Sequence, residues 1–139
     1  MKGVFLMVIV RIIQWIAGLA GLAALALGLL IWFANMDFIS IHMLLGLTVA
    51  LFLLLLGIIA VFTRGIRVLG AVSIVYAIIL PIFGLTQTTL LIGNLHWLIQ
   101  VAHLLVGLGA LALMGVISTR YLRLKRAGAN APAPQTIAP

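Results

Sequence analysis

The chain has 139 residues, 66% of them hydrophobic and only 6% charged, no cysteine and a formal net charge of +7. A soluble domain covers its surface with roughly 25% charged residues, so this composition, with a mean hydropathy of +1.43, excludes one and marks an integral membrane protein. The absence of cysteine removes disulfides, thiolate metal sites, iron–sulfur clusters and covalent c-type haem attachment, leaving histidine and oxygen as the available metal ligands.

A transmembrane helix needs about 20 apolar residues, and four runs qualify. The first, IIQWIAGLAGLAALALGLLIWF (12–33), follows Arg11 and carries Trp15 and Trp32 where the two interfacial aromatic belts fall. Residues 1–26 also have features of a signal peptide, with Lys2 as a basic start and Ala24-Leu25-Ala26 as a cleavage box. Arg11 interrupts its apolar stretch and the run continues to Phe33, so the segment is expected to remain as helix 1. Ala17, Gly21, Ala24 and Gly28 recur along it every three or four residues, a stripe that lets a neighbouring backbone approach closely.

The second span is 40–62 and the third about 68–86, where Pro81 in ILPIFG removes a backbone hydrogen bond and is expected to kink the helix near its outer end. The fourth, 95–119, ends at a basic cluster. Residues 127–139, AGANAPAPQTIAP, are too proline-rich and too poor in apolar side chains to pack, and are expected to form a disordered cytoplasmic tail beyond a transmembrane domain of residues 1–126.

A basic excess can signal nucleic acid, but here Lys2, Arg11, Arg64, Arg67, Arg120, Arg123, Lys125 and Arg126 all flank apolar runs, against the single acid Asp37. That placement is an orientation signal, not a phosphate-binding face, so nucleic acid is not expected as a partner. The positive-inside rule puts both termini and the TRGIR loop (63–67) in the cytoplasm, with Asp37 and loop 87–94 outside. The expected protein is therefore all-α: an integral membrane four-helix bundle, N-in and C-in, in the cell's inner (cytoplasmic) membrane, with the lipid bilayer as its first partner.

HMLLGLTVALFLLL (42–55) laid over HLLVGLGALALMGV (103–116) aligns His42 with His103 and Gly46 with Gly107. The match suggests duplication of a two-helix unit, helices 1–2 and 3–4. Helices 2 and 4 then run in the same direction, with their histidines in the outer half of the membrane. His96, Gln100, His103 and Gly107 follow at i+4, i+3 and i+4 on one face of helix 4.

Depth counting leaves the partner of His42 open. His42 to Arg64 spans about 33 Å of helix and His103 to Arg123 about 30 Å, which matches His103 if Arg120 snorkels and favours His96 if Arg120 marks the boundary. The repeat favours His103. Two imidazoles from parallel helices at matched depth, each with a glycine one turn away where a flat macrocycle needs space, are what a six-coordinate haem inside a bundle requires. The competing reading is that these are interfacial imidazoles bonded to water or headgroups, with glycines kept for packing; His103, deeper than the others, is the hardest to read that way.

ISIHMLLGLTVA and IQVAHLLVGLGALA make the chain resemble, over residues 10–122, one half of the haem A synthase family and, more loosely, the small four-helix membrane b-type cytochromes and similar uncharacterised bacterial four-helix membrane proteins. The resemblance implies a haem between the second and fourth helices, with His42 and His103 as axial ligands to its iron. Neither histidine has the preceding Glu or following Arg of the synthase's catalytic histidine, so haem A synthesis itself is not implied.

The leading expectation is a b-type electron-transfer protein: haem b, ligands His42 and His103, with Gln100 and His96 placed to bond a propionate or the carbonyl of a quinone, and a quinone or respiratory-type membrane partner. The alternative is a non-catalytic accessory or assembly subunit of a membrane complex, with no cofactor. Transport lacks an intramembrane carboxylate. A zinc or copper site from His42, His96 and Asp37 has no specific spacing to support it. Hydrolytic or phosphoryl-transfer chemistry lacks its catalytic sets.

Overall fold

The structure, a computed structural model, describes residues 2–129. These form four helices, α1 (Lys2–Ala34), α2 (Ile39–Val61), α3 (Arg67–Thr86) and α4 (His96–Ala129), with a 3-10 turn at Gln87–Thr89 and no strand among the described residues. Each helix is long and apolar enough to cross a membrane. The all-α, multi-pass membrane four-helix architecture expected from composition is what the chain adopts.

α1 and α4 are longer than their apolar runs: α1 begins at Lys2 rather than at residue 12, and α4 continues to Ala129 rather than stopping at 119. Arg, Lys, Leu and Ala are strong helix formers, so a charge ends the apolar run without ending the helix. At 33 and 34 residues the two helices are about 50 Å long, well beyond a hydrocarbon core of about 30 Å. α4 thereby takes in Ala127, Gly128 and Ala129, which the sequence reading assigned to the tail; residues 130–139 lie outside the described residues. α1 stops at Asn35, whose positive φ of 50° turns the chain back as the Met36 amide bonds the Leu30 carbonyl. α3 runs unbroken past Pro81.

Consecutive helices pack side by side, α4 closes against α1, and α2 meets α4 across the diagonal, while α1 and α3 do not touch. Every adjacent pair is antiparallel: Gly28 lies by His42, Gly57 by Ile74, Tyr76 by Gly109 and Gly21 by Leu111. α2 and α4 are therefore parallel.

The core is small as well as apolar. Ala17, Ala50, Ala60 and Ala110 are buried together around Leu53, Leu56, Met114 and Ile117. Large apolar side chains lie outside, with Leu19, Leu44 and Leu105 each more than 60% exposed. Lipid tails are as apolar as leucine, so interior and exterior of such a bundle differ in side-chain size more than in polarity. The tightest seam joins α2 to α3: a Cβ on Gly70 would stand 2.7 Å from the Gly57 carbonyl oxygen and 2.9 Å from the Ala60 carbonyl carbon. Several polar side chains in the spans bond backbone, as Ser73 Oγ does to the Leu69 carbonyl and Thr48 Oγ1 to that of Leu44, which satisfies them where no water is at hand. The buried Ser118 and Tyr121 hydroxyls have no partner among the described residues.

Candidate functional site

The bundle diagonal brings together the two histidines that the repeat aligned. The His42 and His103 rings lie with centroids 5.9 Å apart and planes tilted by 56°. His42 enters from the second turn of α2, where its backbone amide bonds the Phe38 carbonyl. His103 enters from two turns inside the start of α4. The pair sits toward the bundle end that holds Asp37, opposite the basic residues.

Each imidazole rests beside a glycine of the preceding helix. A Cβ on Gly28 of α1 would stand 3.1 Å from His42 Cε1, and one on Gly84 of α3 would stand 3.5 Å from His103 Cε1. A glycine of the preceding helix thus lies against each histidine, tightly at Gly28 and in ordinary contact at Gly84. Sequence reading took Gly28 as part of a packing stripe and gave Gly84 no role. No shared spacing marks the pair, since Gly28 lies six residues before the end of α1 and Gly84 two before the end of α3; only contact distances show what each glycine faces.

The two imidazoles differ in hydrogen bonding. His42 Nδ1 donates to the Ala24 carbonyl at 2.8 Å; because a carbonyl only accepts, Nδ1 carries a proton, which in the neutral ring leaves the lone pair on Nε2. This backbone anchoring of one ring nitrogen is the arrangement that orients a metal-ligating histidine. His103 Nδ1 is buried and has no hydrogen-bond partner among the described residues. Phe83, next to Gly84, covers the His103 ring at a centroid distance of 5.9 Å.

Gly46 and Gly107, one turn beyond the histidines, face open space: a Cβ on either would meet nothing within 4 Å. The separation and the open glycines both suit a metal-centred group. His42 and His103 are the residues that would hold such a group, and a flat macrocycle would find room where Gly46 and Gly107 lack side chains.

His96 does not join the pair. It begins α4, and its Nδ1 donates to the Leu90 carbonyl at 3.1 Å, tying the helix start to the preceding loop. Gln100, three residues before His103, is half-buried on the outward side of that histidine. Asp37 is exposed in the α1–α2 loop. His42, His96 and Asp37, the candidate zinc or copper set weighed in the sequence, are not brought together: no three His, Cys, Asp or Glu residues gather within reach of one ion among the described residues.

No family model, curated protein or solved structure matches the chain, so the chemistry of the pair rests on its own geometry.

Proposed function

We propose that this protein is a small b-type cytochrome of the inner membrane, in which His42 and His103 are the axial ligands of a haem held between α2 and α4. The observation that carries this reading is the meeting of two imidazoles across the bundle diagonal at a centroid separation of 5.9 Å. The likeness of both His-x-x-x-Gly stretches to haem A synthase halves and membrane b-type cytochromes points the same way, as do the open faces of Gly46 and Gly107.

A bound haem would supply one-electron redox chemistry, which requires no catalytic acid or base from a chain with a single carboxylate. The protein's own residues do the rest. Ala24 anchors the His42 ring through Nδ1, Gly28 lies tightly against that ring, and Phe83 packs against His103. Gln100 offers an amide donor to a propionate, while His96 keeps its structural bond to the loop. The basic ends face the cytoplasm, N-in and C-in, which puts the histidines in the outer leaflet, within reach of a quinol or a respiratory-type partner.

A second reading, a cofactor-free accessory subunit, is supported by the small-residue helix faces, which serve close packing and need no cofactor. Reduced-minus-oxidised spectra of protein purified in mild detergent from haem-replete cells decide between them. The expected result is a b-type α-band, lost in His42→Ala and His103→Ala and retained in His96→Ala. Colourless wild-type protein from such cells sinks the cytochrome reading and leaves the accessory one.

A further inference from the structure

At the opposite end of the bundle from the histidines, α1 and α4 part to leave a groove of about 500 Å³ open to the membrane. Arg11, Gln14, Gly18 and Leu22 supply one wall and Leu111, Gly115 and Leu122 the other. The α1 residues recur at helical spacing, so they form one stripe. The antiparallel register, fixed where Gly21 packs against Leu111, places Gly18 opposite Gly115. A Cβ at either of these two glycines would meet nothing within 4 Å, so the groove is open at its waist for want of side chains on both walls. At its deep end Leu111 closes it by lying on Gly21.

The groove is polarised along its length. Its mouth carries the guanidinium of Arg11 and the amide of Gln14; its deep end, about 16 Å away along α1, carries only leucines. Arg11 has no ion pair among the described residues. The chain's single acidic side chain, Asp37, follows the far end of α1, about 35 Å from Arg11 along the helix, so no carboxylate side chain of this chain can reach it. Arg120 and Arg123 line a shallower groove on α4 that shares Gly115 with the first, adding positive charge beside the same entrance. A cation without an intramolecular counter-ion, at the mouth of an apolar slot that runs into the bilayer, matches an amphiphile with an anionic head and a hydrocarbon tail.

We propose that the α1–α4 groove is a binding site for one anionic phospholipid, with its phosphate at Arg11 and Gln14 and an acyl chain passing between Gly18 and Gly115 toward Leu22 and Leu111. Trp15, four residues along α1 from Arg11, borders the groove and is 73% exposed, so its indole would lie beside the glycerol region of a lipid whose phosphate sits at Arg11. The site is separate from the histidine pair and does not depend on haem.

The test is native mass spectrometry of the full chain in mild detergent, titrated with palmitoyl-oleoyl phosphatidylglycerol or with the phosphatidylcholine of the same acyl chains. Wild type is expected to hold the first phosphatidylglycerol more tightly, by roughly fivefold for each arginine engaged, the ratio corresponding to about 1 kcal/mol per basic residue near a charged lipid surface. Arg11→Gln should lower that preference by about the same factor, and Arg126→Gln, outside the groove, should leave it unchanged. Gly115→Leu, which fills the waist, should remove the first tight adduct of either lipid. Equal affinity of wild type for the two lipids overturns the proposal and needs no variant to observe. So does an unchanged preference in Arg11→Gln, or a dimer that excludes lipid and dissociates in Gly115→Leu, which would assign the groove to a second copy of the chain.

Discussion

Gly28 and Gly84 occupy equivalent places beside the two histidines but not equivalent space. The missing Cβ of Gly28 would stand 3.1 Å from His42 Cε1 and 3.4 Å from Nδ1, closer than ordinary contact, and His42 cannot retreat without loosening its bond to the Ala24 carbonyl. Gly28→Ala is therefore expected to cost about 1–3 kcal/mol, the usual range for overpacking. The Cβ of Gly84→Ala would meet His103 Cε1 at 3.5 Å, a normal contact, and should leave stability nearly unchanged. Thermal unfolding midpoints of the two variants in mild detergent check this; equal losses would show that His42 is not the more tightly seated ring. The role of these glycines was not legible in sequence, where any glycine in a membrane helix reads as packing. Gly46 and Gly107 were legible because they repeat at a fixed offset from a histidine.

At the scale of helices, the α2–α3 and α3–α4 seams are built differently. Gly70 brings α3 onto the backbone of α2, where neither the Gly57 oxygen nor the Ala60 carbon can swing aside. Gly70→Ala must push the helices apart, and a loss of about 1–3 kcal/mol or more is expected. Gly128→Ala, whose Cβ would meet nothing and which lies outside both proposed sites, serves as the control for fold stability, measured by denaturant titration in detergent micelles. The α3–α4 seam instead hangs on Tyr76, which donates its hydroxyl proton to the Val106 carbonyl at 2.9 Å and lies on Gly109. Tyr76→Phe should cost about 0.6 kcal/mol, typical of an interhelical hydrogen bond in a membrane. A Cβ at Gly109 would run into the Tyr76 hydroxyl, so Gly109→Ala should cost less in the Tyr76→Phe background than in wild type; additive losses in that double-mutant cycle would separate the two residues.

For the whole molecule, the antiparallel order of the helices gathers Arg11, Arg64, Arg67, Arg120 and Arg123 at one end, with Gly65 of the α2–α3 loop against Leu124 of α4. Asp37 and the α3–α4 loop lie at the other. This segregation is the physical basis for the proposed N-in, C-in orientation, since positively charged segments resist translocation. The chain has no cysteine, so single introduced thiols report topology directly. Asp37→Cys and Thr88→Cys are expected to react with a membrane-impermeant maleimide in intact cells, and Ala127→Cys only after permeabilisation. Labelling of Ala127→Cys in intact cells would reverse the orientation and put the histidine pair in the inner leaflet.

Sequence alone determined the number of helices and their apolar extent, because a backbone in hydrocarbon must satisfy its hydrogen bonds internally and long apolar runs leave helix as the solution. It also determined the segregation of charge and the alignment of His42 with His103, since both are properties of position along the chain. The ends of α1 and α4 escaped it: a charge stops an apolar run but not a helix. The tertiary structure decided that His103 and not His96 faces His42, that His42 is anchored to Ala24, and that α1 and α4 part around Arg11. In a chain that is apolar all round, hydropathy does not distinguish the face of a helix that meets protein from the face that meets lipid. That distinction is made by the sizes of side chains brought together from different helices, and those become neighbours only when the bundle closes.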